Sequence, residues 1–423
     1  MVHIDKTIYG YFLPQSWIHH KSYSGYLWYA TIHMLLPFYF WGAYLVVCRI
    51  RANKQFQGFM ENSGLKSPLG KFPALIKNVP VNEECRKLVI KKNGIPLEAF
   101  REKKGWIESN MEISIEAMSD RVHDGCLEIV YSNIPLTKSI KLLSEIDSIP
   151  AGKILIGKSR AKTIYADFKD YPHFLVAGST GSGKSTFLRN LIFTLIYKEK
   201  DIKFKIIDLK GGLEFQNLFH DIDNVRVISS MSIACAALMH LSEDINYRIE
   251  YLKNEKLTDI SEYFKKFSLE ERKTKDLKLA YREVIVIDEA AELYLSSQNP
   301  KEESIKTSKA MLNRIARLGR AVGIHIVLAT QRPDVSALDP QVKANLSGVV
   351  CFRAGNVASS MVIIGNKRAS EISAEIPGRA VWKTDNDLLE VQTPFISTDE
   401  IYKKLTDARI IQPRKDEAMN DQI

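Results

Sequence analysis

Phe174-Leu175-Val176-Ala177-Gly178-Ser179-Thr180-Gly181-Ser182-Gly183-Lys184-Ser185 is the stretch on which the reading of this chain turns. Four apolar residues lead into G-x-x-x-x-G-K-[ST], and Thr186-Phe187-Leu188-Arg189-Asn190-Leu191-Ile192 continues as a helix-like run. A strand whose glycines open a helix lets successive backbone N–H groups converge on a polyphosphate, with the helix N-terminus adding positive potential. The stretch reads as a P-loop that binds ATP: Gly178, Ser179, Thr180, Gly181, Ser182 and Gly183 form the cradle, and Lys184 neutralises the outer phosphates. The hydroxyl of Ser185 is the expected Mg²⁺ contact.

About a hundred residues on, Val284-Ile285-Val286-Ile287-Asp288-Glu289 places two carboxylates after a β-prone run, the pattern of a Walker B strand. Asp288 is expected in the magnesium shell and Glu289 as the group that polarises the attacking water. The whole region from 156 to 400 alternates strands with helical patterns, as a parallel, three-layered α/β domain does. Strands are expected at Phe174–Ala177, Lys203–Asp208, Val225–Ile228, Val284–Ile287, Ile324–Ala329 and Gly348–Phe352. The charge-rich tract Lys265–Lys278 reads as a solvated helix face or loop.

Working outward, 423 residues suffice for two or three structural units, and the net charge of +9 mildly favours a polyanionic partner or an anionic membrane surface. The five cysteines, Cys48, Cys85, Cys126, Cys235 and Cys351, include no C-x-x-C pair and fit neither a disulfide framework nor a metal site. Residues Leu27–Cys48 carry no formal charge and would span roughly 33 Å as a helix, so one transmembrane helix is expected there. Tyr and Trp cluster towards its ends, and Arg49, Arg51, Lys54, Lys66, Lys71 and Lys77 follow with only Glu61 opposing. That asymmetry puts the bulk of the chain on the cytoplasmic side of the cell membrane. Cleavage as a signal peptide is not expected, because the basic cluster follows the apolar run. Ile8–Ile18 is too short to span and contains Pro14. The expected organisation is a membrane anchor over 1–55, a small α+β adaptor over 56–155, the motor over 156–400 and a tail over 401–423. Within the adaptor, Cys126–Tyr131 reads as a strand and Ile140–Ile146 as a short helix.

These motifs together resemble the motor of the FtsK/SpoIIIE DNA translocases, in the wider FtsK–HerA group of P-loop ATPases. The resemblance begins at Gly157-Lys158 and Ala166-Asp167, runs through Tyr171-Pro172-His173 into the P-loop, and continues with Ile207-Asp208-Leu209-Lys210-Gly211-Gly212. That last motif usually reads Asp-Pro-Lys-Gly-Gly in the family. It then takes in the Walker B strand, Arg314-Ile315-Ala316-Arg317-Leu318-Gly319-Arg320-Ala321-Val322-Gly323-Ile324-His325, Ala329-Thr330-Gln331-Arg332-Pro333 and Val342-Lys343-Ala344-Asn345.

The resemblance implies a RecA-like P-loop ATPase fold and ATP hydrolysis coupled to DNA translocation by a homo-hexameric ring, with ATP at the subunit interfaces. Gln331, at the end of a strand parallel to that of the P-loop, takes a sensor role at the γ-phosphate. Arg317 and Arg320, three apart on one helical face, are candidates for an arginine presented to the neighbouring subunit's nucleotide. Lys210 and Lys343 are weaker candidates for polar contacts in the pore. The cell-division and sporulation translocases carry several spans, a long linker and a C-terminal winged helix. One expected span and the short stretch after the motor are similar instead to coupling proteins of conjugative elements, with a relaxase and conjugation-channel proteins as partners. A protein-moving secretion ATPase, a chromosome or plasmid segregation translocase and a nucleotide-dependent scaffold are the competing readings. The single P-loop disfavours the first of these, and Glu289 with Gln331 disfavours the scaffold.

Overall fold

The computed structural model describes residues 23–212, 214–295, 302–331, 338–384 and 388–411. Its described residues fall into two compact units, one within 23–79, 87–111 and 118–129, the other within 80–86, 112–117 and 130–411. Strands β1 (Ala74–Pro80), β2 (Arg86–Lys91), β3 (Ser114–Arg121) and β4 (Cys126–Ser132) form a four-stranded sheet in the order β1-β2-β4-β3.

Helix α1 (Tyr23–Ser63) runs unbroken through Pro37. Met34, Phe38, Tyr39, Phe40, Trp41 and Val47 are all exposed along it. The single transmembrane span expected over 27–48 is not shown: among the described residues no helix is long and apolar enough to cross a membrane. The aliphatic residues of that segment are diluted by Tyr, Trp, His and Gly, which lower its hydropathy while leaving its helix intact.

The second unit is built on one ten-stranded sheet. Its strands are β5 (Ile154–Lys158), β6 (Thr163–Ala166), β7 (His173–Ala177), β8 (Ile202–Ile207), β9 (Val225–Ile228), β10 (Arg282–Ile287), β11 (Ile324–Thr330), β12 (Gly348–Phe352), β13 (Arg379–Lys383) and β14 (Leu388–Gln392). They lie in the order β6-β5-β14-β13-β12-β7-β11-β10-β8-β9. From β12 to β9 every neighbour is parallel, whereas the pairs from β12 to β6 are antiparallel. The six strands expected from the sequence are this parallel half, each found with its ends within two residues of the expected ones. Near-continuous apolar runs such as Val284–Ile287 mark strands covered on both faces.

Alternation along β7 shows how both faces fill. Phe174 and Val176 join one core, with Phe187, Leu188, Leu191 and Leu195 of α2 (Lys184–Lys198). Leu175 and Ala177 join the other, with Leu238, Leu241 and Ile245 of α3 (Met231–Asn254) and Leu312 and Ile315 of α4 (Glu302–Val322). The result is the expected three-layered α/β domain, with α2 on one face and α3 and α4 on the other. Gly319 allows that packing, since a Cβ there would stand 2.1 Å from the carbonyl oxygen of Ile324.

The tract Lys265–Lys278 divides between two short helices, Ile260–Lys266 and Leu269–Lys275, capped by Asp259 and by a Ser268–Glu271 capping box. Its Arg272 is buried and bonds Asp201 at 3.0 Å, so part of this charge is structural. Cys126–Ser132 is a strand and Leu142–Glu145 a short helix, as expected for that region.

Candidate functional site

Parallel registers align the ends of neighbouring strands, and that alignment assembles the site. Thr330 pairs with Ala177, Cys351 with Ala177, and Ile287 with both Leu328 and Ile207. The residues that follow, Gly178, Arg353, Asp288, Gln331 and Asp208, therefore emerge along one edge. Crevices outside the carboxyl ends of parallel strands are where α/β sheets bind ligands.

The P-loop closes over this edge with its backbone tied on both sides. Gly178 N donates to Thr330 O at 3.2 Å, Ser179 N to Arg353 O at 2.9 Å, and Gly378 N to Ser182 O at 2.9 Å. Gly183, which caps α2 with a φ of +111°, lies so close to Gly378 that a Cβ would stand 2.9 Å from that residue's nitrogen. Only glycine meets both the left-handed backbone and that contact. Lys184 is buried, and its Nζ donates to Asp288 O at 2.8 Å and Oδ1 at 3.0 Å.

Glu289 is oriented by the next strand. Its Oε1 accepts from the Thr330 hydroxyl at 2.8 Å, and its Oε2 accepts from Gln331 N at 2.9 Å. The Gln331 side-chain carbonyl in turn accepts from the Thr180 hydroxyl at 2.8 Å, joining the sensor candidate to the loop. Lys210 Nζ stands 3.8 Å from Asp288 and 3.5 Å from Glu289. This places Lys210 against the two carboxylates at the cavity. Burial, followed by the charge of Asp288, raises the carboxyl pKa of Asp208. Lys343 lies away from this site, donating to Val362 O, and burial lowers its pKa.

A cavity of about 660 Å³ lies over the loop. Its wall includes Ser179, Thr180, Gly181, Gly183, Lys184, Ser185, Asp288 and Gln331, so the structure gathers the P-loop, the Walker B aspartate and the sensor candidate on one space. Arg317 and Arg320 do not line it. Both are exposed on α4, and Arg320 Nη2 donates to Lys169 O at 3.3 Å. Arg332 and Pro333 lie outside the described residues. Sequence reasoning missed the far wall, made by residues 138–141 and 392–395. No local motif marks these segments, because their place depends on the order of the antiparallel strands. The hydroxyl of Thr330 was also missed, although its position beside Gln331 was visible.

Fold and site together define a P-loop ATPase domain. The FtsK/SpoIIIE family model matches residues 147–335, a little under half of the chain. Relatives include the DNA translocase FtsK of Borreliella burgdorferi, 30% identical over 260 residues, an alignment covering 61% of this chain and 31% of that protein. The DNA translocase SpoIIIE of Bacillus subtilis is 28% identical over 281 residues, covering 64% and 34% respectively. The chain thus spans about a third of the length of these relatives. Among solved structures, the pCW3 conjugation coupling protein TcpA, in a monomer form with ATPγS, superposes with a TM-score of 0.60 at 24% identity, covering 85% of this chain and 99% of that one. That likeness is one of fold.

Proposed function

We propose that this chain is an ATP-driven DNA translocase held at the cytoplasmic face of the cell membrane, serving as the coupling protein of conjugative transfer. The observation that carries the reading is the single cavity in which Lys184, Asp288 and Gln331 meet, with Glu289 clamped behind them by Thr330 and Gln331. A scaffold that only binds nucleotide has no use for an aimed carboxylate. DNA as substrate rests on the FtsK and SpoIIIE relatives. The conjugative role rests on the fold shared with a coupling protein over nearly all of that protein's length.

In this reading Lys184 holds the outer phosphates of ATP, and Gly181 and Gly183, which line the same space, offer their backbone N–H groups to them. Glu289 takes the proton of the attacking water, and its two inward hydrogen bonds fix its direction. Gln331 registers the terminal phosphate and passes its loss to Thr180. Among the described residues no cluster of three His, Cys, Asp or Glu could hold a metal unaided. The donors present, Ser185 and Asp288, are oxygens, which suits Mg²⁺ completing its shell with phosphate and water. Bound there, magnesium would neutralise charge on the phosphates. Arg317 or Arg320 would reach a neighbour's nucleotide in a homo-hexamer, a role consistent with their exposure on α4. The exposed aromatic and aliphatic residues of α1 support attachment to the membrane. A relaxase and channel proteins are the partners such a role requires.

The test is the ATPase rate of the full chain in detergent, without DNA, with single-stranded DNA and with duplex DNA, for wild type, Lys184→Ala and Glu289→Gln. Stimulation by either DNA, lost in both variants, is expected. Turnover indifferent to DNA would move the assignment to a protein-moving motor. Recovery of the chain in the alkaline-washed membrane fraction checks the anchor, and recovery in the soluble fraction would remove it.

A further inference from the structure

The wall opposite the P-loop holds an aromatic ring that packing does not explain. Of the described phenylalanines in the second unit, only Phe395 is exposed, at 54% of its surface, and it lines the same cavity as Lys184. An exposed phenylalanine on a mobile segment would be unremarkable, but this one is held on several sides. Its N–H donates to Ile140 O at 2.8 Å, and its carbonyl accepts from Leu142 N at 2.8 Å. The preceding carbonyl, that of Pro394, accepts from the buried Asn190 side chain of α2 at 2.6 Å.

The strap that lies beside it is pinned too. The Arg379 guanidinium donates to Leu136 O at 3.1 Å and Thr137 O at 2.7 Å. Phe395 is therefore a fixed apolar face, tied through Asn190 to the helix that the P-loop opens.

The cavity has two unlike ends. Lys184, Asp288 and Gln331 mark one, where the terminal phosphate belongs. Ile140, Pro394 and Phe395 line the other, beside Asn190, which lies further along α2 from Lys184. A nucleoside triphosphate has the same polarity, three phosphates followed by a sugar and a flat heterocycle. We infer that the nucleobase stacks on Phe395, so that this ring, which no motif announces, sets how tightly the nucleotide is held. A rigid aromatic gains contact area with little loss of conformational freedom, and base–aromatic stacking tolerates any heterocycle because each has a π-face.

The inference rests on the nucleotide reading of the P-loop, and one set of binding measurements separates the two. Calorimetry on the full chain in detergent with magnesium would compare ATPγS with inorganic tripolyphosphate, which has the phosphates but no base. Phe395→Ala should weaken ATPγS roughly tenfold and leave tripolyphosphate within about twofold, while Phe395→Trp restores ATPγS binding. An unchanged affinity for ATPγS, or equal losses for both ligands, overturns the stacking role and leaves Phe395 as a surface for another molecule. Lys184→Ala binding both ligands as well as wild type would instead sink the nucleotide reading itself, and the stacking role with it.

Discussion

The two halves of the large sheet divide the work between them. The parallel half, β12 to β9, delivers Gly178, Asp208, Asp288, Thr330 and Gln331 at aligned strand ends, so its register sets the chemistry. The antiparallel half, β13 to β6, contributes none of those groups. It carries Arg379 and Gln392, which secure the segments around 136–137, 377–378 and 392–395 against the loop. The parallel half would hold the phosphates through Lys184 and act on them through its carboxylates, and the antiparallel half would hold the rest of the nucleotide. Damage to those carboxylates should therefore appear in turnover, and damage to the antiparallel half in affinity and stability.

The sharpest way to break that division is Glu289→Gln, which keeps the hydrogen-bonding outline but removes the base. Turnover should fall by roughly 10³-fold with ATPγS affinity nearly unchanged, measured as kcat beside a binding isotherm; a loss seen only in affinity would merge the two halves.

Acid tests the core beneath both. Burial pushes the His173 pKa down to about 4 and that of His325 well below its ordinary value. The unfolded chain takes up protons near pH 6.5 that the folded one refuses, so stability is full above pH 6.5 and declines towards pH 4. On the order of 3 kcal/mol should be lost through His173 over that window, visible as a falling Tm. His173→Asn, which keeps an acceptor for the Ile326 N–H now bonded to Nδ1 at 3.0 Å, should flatten part of the decline; an unaltered pH profile would deny the buried imidazole that role.

Arg379→Lys keeps the charge but loses the fork that reaches Gln392, Glu390, Leu136 and Thr137. Chemical denaturation should show roughly 2 kcal/mol lost, with KM raised and kcat little moved. A drop in kcat alone would mean that the antiparallel half shapes the reaction directly. The smallest effect belongs to Thr180→Ala, which removes the exposed hydroxyl bonded to Gln331. A severalfold slower kcat with unchanged Tm is expected, about 1 kcal/mol on the barrier, and an unaltered rate would detach Gln331 from the loop.

The parallel half was legible because its chemistry sits beside its strands in sequence. Val284–Ile287 runs straight into Asp288 and Glu289, and Ile324–Thr330 into Gln331, so one apolar run announces both the strand and the residue that it delivers. The antiparallel half offers no such pairing. Its strands are four or five residues long, and β14 meets β5 through Gln392 and Lys158, far apart in sequence. Nothing local in Ile154–Lys158 names that partner, which is why the wall at 138–141 and 392–395 went unread. The approach of Lys210 to Asp288 and Glu289 was equally hidden, since it follows from the pairing of β8 with β10.

The bonds that aim Glu289 come from β11, while the residue itself follows β10, so its direction is written into a central ladder of the sheet instead of a surface loop. Heating should leave such an alignment intact until the ladder itself gives way. A thermal inactivation curve and a far-ultraviolet melting curve would then fall together, with no intermediate range in which the protein is folded but catalytically blunt.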